Sequence, residues 1–402
     1  MTTTLAVTTT TTTTTSDATT IAAPSTVTAS PPARAVPCAE VLPAGGNEPE
    51  RGRPGRDVQR VELHRCAVGP HSDWLLLRIV DADGVVGWGE CSDAGPVQAV
   101  VRELAEWAQR PRDLGDLTRR TIAGALEQAR LDQAARAAGR PLGARSAGGP
   151  ESLELYADLG RAPGGRAPSG IAATAAAAVR AGFRAVQLAP FDSSGGDRLP
   201  DLAVMRVQAV RAAVGDDVAI LVDCRERLSL KDLTPLLESF AELGVARLTD
   251  AVGIDRPDEL ALLRRRTGIP LAGGGFAHRV GQVERVAGLL DVLRPDVKHA
   301  GGPRAVLALA GATGAAVSLR NPSGPVATLH SARLAAELGC GPLEYAFGEA
   351  PWRAELTGGA ELVRDGRLIL PTGPGIGAEP DLRHPAVTRV WGGAVDLYRD
   401  PC

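Results

Sequence analysis

The stretch that most constrains this chain is Val218-Ala-Ile-Leu-Val-Asp223: five apolar residues closed by a carboxylate and followed at once by the polar run Cys224-Arg-Glu-Arg227. A continuous apolar run bounded this way reads as a strand buried on both faces, the kind found in parallel sheets. Asp223 then stands at the strand's carboxyl end, where α/β barrels place their chemistry. The same position also suits a helix N-cap.

The neighbouring segments repeat that pattern. Apolar strand-like runs recur at Leu153–Asp158, Ala185–Ala189, Ala246–Asp250, Ile269–Gly273, Val297–Lys298, Ala315–Leu319 and Leu343–Tyr345. Helical stretches separate them, among them Leu202–Val214, Leu233–Leu243, Asp258–Arg266, Val280–Leu290 and Pro303–Ala312. Strands alternating with crossover helices predict a (β/α) barrel over 151–355. Before it, 58–65 and 74–80 are β-rich, Asp81-Ala-Asp-Gly84 is a turn, and Val85–Glu90 returns as a strand. Helical spacing follows at 97–110 and 115–139, and Gly139-Arg-Pro141 stops the second helix. Residues 58–150 therefore form an α+β unit. The segment 356–402, with Asp365-Gly-Arg-Leu-Ile-Leu370, reads as a hairpin and loop returning to that unit. Residues 1–57 are rich in Thr, Ala, Pro and Gly, with few large apolar groups, and are expected to be disordered.

Composition narrows the function. With 402 residues, 44 % of them hydrophobic, the chain can bury a large core. A net charge of −3 and 3 % aromatics give no electrostatic or stacking case for nucleic acid or an anionic membrane. No apolar run approaches the ~20 residues of a membrane helix, and the first residues lack a secretory pattern, so a cytoplasmic protein is expected. The six cysteines are scattered without metal-ligand spacing, so neither a zinc site nor a disulfide framework is expected. Lys231 and Lys298 are the only lysines, so a lysine near a strand end stands out.

Several motifs together resemble the enolase superfamily, in its mandelate racemase/muconate lactonising branch. They are Asp83-Gly-Val-Val-Gly-Trp-Gly-Glu90, Ala125-Leu-Glu-Gln-Ala-Arg-Leu-Asp132, Gly139-Arg-Pro-Leu142 and Ala181-Gly-Phe-Arg-Ala-Val186. Further along come Val222-Asp223, Gly268-Ile-Pro270, Arg294-Pro-Asp-Val-Lys-His-Ala-Gly-Gly302, Asn321-Pro-Ser-Gly-Pro325 and Leu343-Glu-Tyr345. The resemblance implies a (β/α)7β barrel with an α+β capping domain. It also implies proton abstraction next to a carboxylate, with Mg²⁺ on three strand-end carboxylates stabilising the enediolate.

Carried over residue by residue, the resemblance keeps the third-strand ligand as Asp223. Thr249 stands at the fourth-strand ligand position and Gly275 at the fifth. The second-strand base positions hold Gln187 and Ala189. The seventh-strand base position holds Arg320, which stays protonated. Asp296 and Glu344 are kept. Asp250 should point away from Thr249 if the strand continues, and Lys298 should share the face of Asp296. Asp223 with a threonine and a glycine makes a poor Mg²⁺ site.

The candidate catalytic residues are thus Asp223, Asp296, Lys298, Arg320 and Glu344. Arg320 either grips a substrate carboxylate or neutralises Asp296. Lys298 is either a base of lowered pKa or a solvated rim residue. Candidate substrate contacts are Gln187, Thr249, Gly275, and His71 and Asp73 in the loop expected to close over the site. His299 and His330 are expected to be structural, and Cys224 a packed small residue. The leading expectation is an enzyme without a metal or other cofactor: a metal-independent lyase, isomerase or cyclase on a small carboxylate or carbonyl intermediate of specialised metabolism. Two other readings stand beside it, a non-catalytic binding or scaffold protein and a Mg²⁺-dependent acid-sugar dehydratase or racemase with atypical ligands. By resemblance alone, a homo-oligomer is expected.

Overall fold

A computed structural model describes residues 58–69, 72–107, 115–143, 150–191 and 199–393. The tail 1–57 and His71 lie outside the described residues.

The first unit is an antiparallel sheet of β1 (Val58–Gly69), β2 (Ser72–Asp81) and β3 (Val86–Glu90). Its inner face buries Val61, Leu63, Leu75, Leu77 and Ile79 against Ile122, Ala125, Leu126 and Ala129 of the helix Leu117–Ala137. The glycines of Val86-Gly-Trp-Gly-Glu90 have a steric cause. A Cβ on Gly87 would overlap the carbonyl of Ala129, and one on Gly89 that of Ala125. Only bare backbone lets this strand lie flat on the helix.

The barrel follows as β4 (Ser152–Asp158), β5 (Ala185–Leu188), β6 (Ala219–Asp223), β7 (Val245–Thr249), β8 (Leu271–Gly273), β9 (Val292–Leu293), β10 (Ala316–Val317) and β11 (Leu343–Ala346). From β4 to β10 each strand pairs in parallel with the next, and β11 pairs in parallel with β4. The ring closes where Glu344 N–H donates to Leu319 O at 3.4 Å. Outward residues such as Val186, Ile220, Val222, Leu248 and Leu293 join the core shared with the helices. Alternation sends Tyr156, Ala185, Ala219 and Leu221 to the barrel interior.

After the barrel, β12 (Leu362–Arg364) and β13 (Arg367–Ile369) form the hairpin seen in the sequence, but β13 pairs with β4 at the barrel's foot. It is β14 (Val387–Gly393) that returns to the first sheet and pairs with β1. A second difference concerns Lys298. The chain leaves β9 at Leu293, and residues 297–301 form a turn in which Ala300 N–H donates to Asp296 O at 2.8 Å. Strand alternation therefore does not place Lys298; the turn does.

The two units meet over the carboxyl ends of the barrel strands. Gly124 on the cap helix lies so close to the Lys298–Gly302 turn that a Cβ there would sit 2.8 Å from Lys298 O. Ser72 Oγ donates to Glu349 at 2.6 Å, and Arg161 bridges Asp93 at 2.7 Å and Glu349 at 3.4 Å.

Candidate active site

Asp296 is the hub of the mouth. Lys298 Nζ lies 3.1 Å from its carboxylate, Arg320 Nη1 2.8 Å and His299 Nδ1 3.3 Å. Burial alone would raise this carboxyl, but the cations Lys298 and Arg320 outweigh it and hold Asp296 well below the usual carboxylate range. Lys298 is fully buried and also donates to Ser323 Oγ. His299, expected to be merely structural, stands inside this cluster. Its Nδ1 accepts from Arg320 Nη1 at 3.1 Å, so its proton is assigned to Nε2. Burial lowers its pKa to about 3, so the ring is neutral. Phe276, half exposed, stacks on His299 at 4.9 Å and lies under the Arg320 guanidinium at 5.1 Å, giving the mouth an apolar wall.

Glu344 faces a different set of partners. It accepts from Arg294 Nη2, from Tyr156 Oη at 3.2 Å, from Gln187 Nε2 at 3.4 Å and from Asn321 N at 3.3 Å. Gln187 also donates to Asp158 at 3.4 Å. Thr249 is buried, and its hydroxyl has no hydrogen-bond partner among the described residues. Asp73 is paired with Arg65 of the neighbouring strand at 2.9 Å. Cys224 is buried, and burial raises its thiol well above the ordinary value. His330 bonds Trp88 O at 2.8 Å on the cap side.

Two further carboxylates stand at the mouth, neither of them among the expected site residues. Asp158 ends β4, and burial, then repulsion from Glu344 and Asp223, pushes it up to about 6 against the pull of Arg225. Asp250 was expected to point away from Thr249. Its backbone instead turns left-handed, at φ 44°, which ends the alternation and brings its carboxylate within 3.9 Å of Arg294. Burial pushes Asp250 up to about 6 as well, with Arg294 opposing and Asp223 reinforcing. Arg225 and Glu226, just after β6, are left-handed too. Strained backbone of this kind gathers at functional sites, and here it rims one barrel mouth.

The family chemistry implies a Mg²⁺ ion at these strand ends. Asp223 accepts from Arg225 Nε at 3.3 Å, and Asp250 faces Arg294. At Gly275 a Cβ would sit 2.5 Å from Arg320 Cδ, so the arginine stem fills the space of a third ligand. Among the described residues no group of three His, Cys, Asp or Glu side chains converges on a metal position. The residues as they stand do not fit the ion.

Comparison with known proteins decides the family. The model for the enolase C-terminal domain-like family matches residues 170–384. The chain belongs to the enolase superfamily, in its mandelate racemase/muconate lactonising branch. A D-galactonate dehydratase of Verminephrobacter eiseniae is 30% identical over 284 residues, 63% of this chain and 73% of that protein. A D-xylonate dehydratase of Haloferax volcanii is 25% identical over 365 residues, 81% of this chain and 88% of that protein. The crystal structure of a mandelate racemase/muconate lactonizing enzyme from Sulfitobacter sp. superposes with a TM-score of 0.70 at 23% identity, covering 81% of this chain and 93% of that one.

These relatives correct two expectations. A metal-independent lyase, isomerase or cyclase of specialised metabolism is overturned by relatives named as acid-sugar dehydratases. The expectation of no cofactor falls with it, because dehydratases of this superfamily are typically Mg²⁺-dependent. The alternative of acid-sugar dehydration is the one the relatives favour. No helix among the described residues is long and apolar enough to cross a membrane.

Proposed function

We propose that this superfamily member is an acid-sugar dehydratase. Its substrate is a polyhydroxylated monocarboxylate such as D-galactonate or D-xylonate, the compounds for which its relatives are named. The observation that carries the reading is the pair Asp158 and Asp250 at the barrel mouth, the first buried and the second partly exposed, on neighbouring sides of Asp223 and both pushed up to about 6. Dehydration needs one group to take the proton beside the carboxylate and another to give a proton to the departing hydroxyl. Two carboxyls poised near neutrality, on different strands, suit that division of labour. The carbon–oxygen bond breaks as the hydroxyl leaves as water. The resulting enol takes up a proton at the same carbon and becomes a 2-keto-3-deoxy acid.

Arg320 supplies a fixed cation for the substrate carboxylate, and Asp296 with His299 holds that guanidinium in place. Phe276 covers the site from the solvent side, and Thr249 offers a buried hydroxyl to a sugar hydroxyl. Glu344 positions Arg294 and Tyr156. A homo-oligomer belongs to this reading on the resemblance alone, and light scattering of the purified protein checks the assembly.

The test is incubation with a panel of sugar acids, Mg²⁺ present, and colorimetric detection of 2-keto-3-deoxy acid. Product from at least one sugar acid, lost in Asp250→Asn and Asp158→Asn, is the expected result. Full turnover in both variants would refute the assignment of these two carboxyls. Arg320→Met should raise KM at least tenfold while leaving the fold intact, as measured by circular dichroism.

A further inference from the structure

Barrel interiors are normally packed with branched apolar side chains. This one carries two arginines on its inner face, Arg247 from β7 and Arg294 from just after β9. Register places Arg247 beside Leu221 and Gln187, all inside the ring. The guanidiniums of Arg247 and Arg294 lie 5.2 Å and 5.8 Å from the ring centre of Tyr156. Arg294 is paired with Glu344 and faces Asp250. Arg247 is paired with no carboxylate among the described residues. Beyond its contact with Tyr156, its Nε and Nη2 are buried without hydrogen-bond partners. Arg294 Nε, Thr249 Oγ1 and Gln187 Oε1 are unpartnered too, and all four residues are more than nine-tenths buried.

Arg294 is offset by Glu344 and Asp250, whereas Arg247 has no carboxylate of its own among the described residues and stands as an unpaired cation in the barrel interior. Burying an unpaired ion is unfavourable, and arginine cannot shed its proton to relieve it. We propose that the inner layer of the barrel, bounded by Arg247, Thr249, Arg294 and Tyr156, is a binding site for a small monovalent anion, a halide or a compact carboxylate group. Arg247 Nε and Nη2 are its charged donors, and the Thr249 hydroxyl donates from the mouth side.

The test is thermal melting of the full chain at constant ionic strength, exchanging potassium isethionate, whose anion is bulky, for chloride, bromide or formate. Melting should rise saturably, by roughly 3–6 °C at high occupancy. Arg247→Met should abolish that rise and melt no lower than the parent protein in isethionate. Saturation by halides assigns a resident halide, and saturation by formate alone assigns a seat for a carboxylate group. Should Arg247→Met fail to fold, Thr249→Val must weaken the response, and crystals soaked in the saturating anion must show its density beside Arg247. Equal melting in isethionate and in all three small anions, or a response undiminished in Arg247→Met, would overturn the proposal.

Discussion

At Asp250 a single backbone angle separates the sequence reading from the structure. The alternation of a strand makes Thr249 and Asp250 opposites, and nothing in Leu248-Thr-Asp-Ala251 announces a left-handed residue. Asp223, by contrast, was legible, because an apolar run that ends on a carboxylate needs no unusual backbone. Asp158 was visible as a strand end, yet its role depends on burial among Glu344, Asp223 and Arg225, which come from other strands. That environment makes a prediction with a definite sign. The Asp158 carboxyl is raised from 3.8 to about 6 in the fold. The folded chain therefore holds more protons than the unfolded one between those values, and stability falls as pH rises through them. Asp158→Asn should leave stability little changed near pH 4 and raise it by roughly 1–3 kcal/mol at pH 8. Urea melts at the two pH values check this, and equal effects at both would contradict it.

Among the elements, the helix Pro325–Leu338 shows how the cap and the barrel depend on each other. Its amino end receives no side-chain cap from Gly324. Glu90, from the end of β3 in the cap, accepts from Gly324 N at 2.7 Å and from Ala327 N at 2.8 Å, and Ser92 Oγ donates to it at 2.6 Å. A carboxylate at a helix amino end satisfies orphan N–H groups and complements the dipole. The sequence shows Glu90 closing a strand motif, but not that its partner lies more than two hundred residues away. Glu90→Ala leaves those buried donors unpaired and should cost roughly 2–4 kcal/mol. Thermal unfolding checks this, and an unchanged midpoint would refute the cap. Most strands and helices were readable from their periodicity. The short strand β9 was drawn too far along the chain because Pro295 and the 297–301 turn interrupt the apolar pattern, while β10 falls inside the expected Ala315–Leu319.

For the whole molecule, the order of motifs carried the fold, since alternating strands and helices admit few arrangements. Function was less legible. The substitutions at Thr249, Gly275 and Arg320 pointed away from the family's ordinary chemistry, whereas the relatives point back to acid-sugar dehydration. In the proposed reaction Asp158 and Asp250 supply the carboxyls, from positions that no ligand motif marks. These carboxyls are proposed to move protons on a sugar acid. Proton NMR of D-galactonate and related sugar acids in D2O, with the protein and Mg²⁺, reads that transfer. A 2-keto-3-deoxy product carrying one deuterium at the carbon that lost its hydroxyl is expected. Unchanged spectra for every sugar acid, under conditions where calorimetry shows the sugar bound, would contradict it.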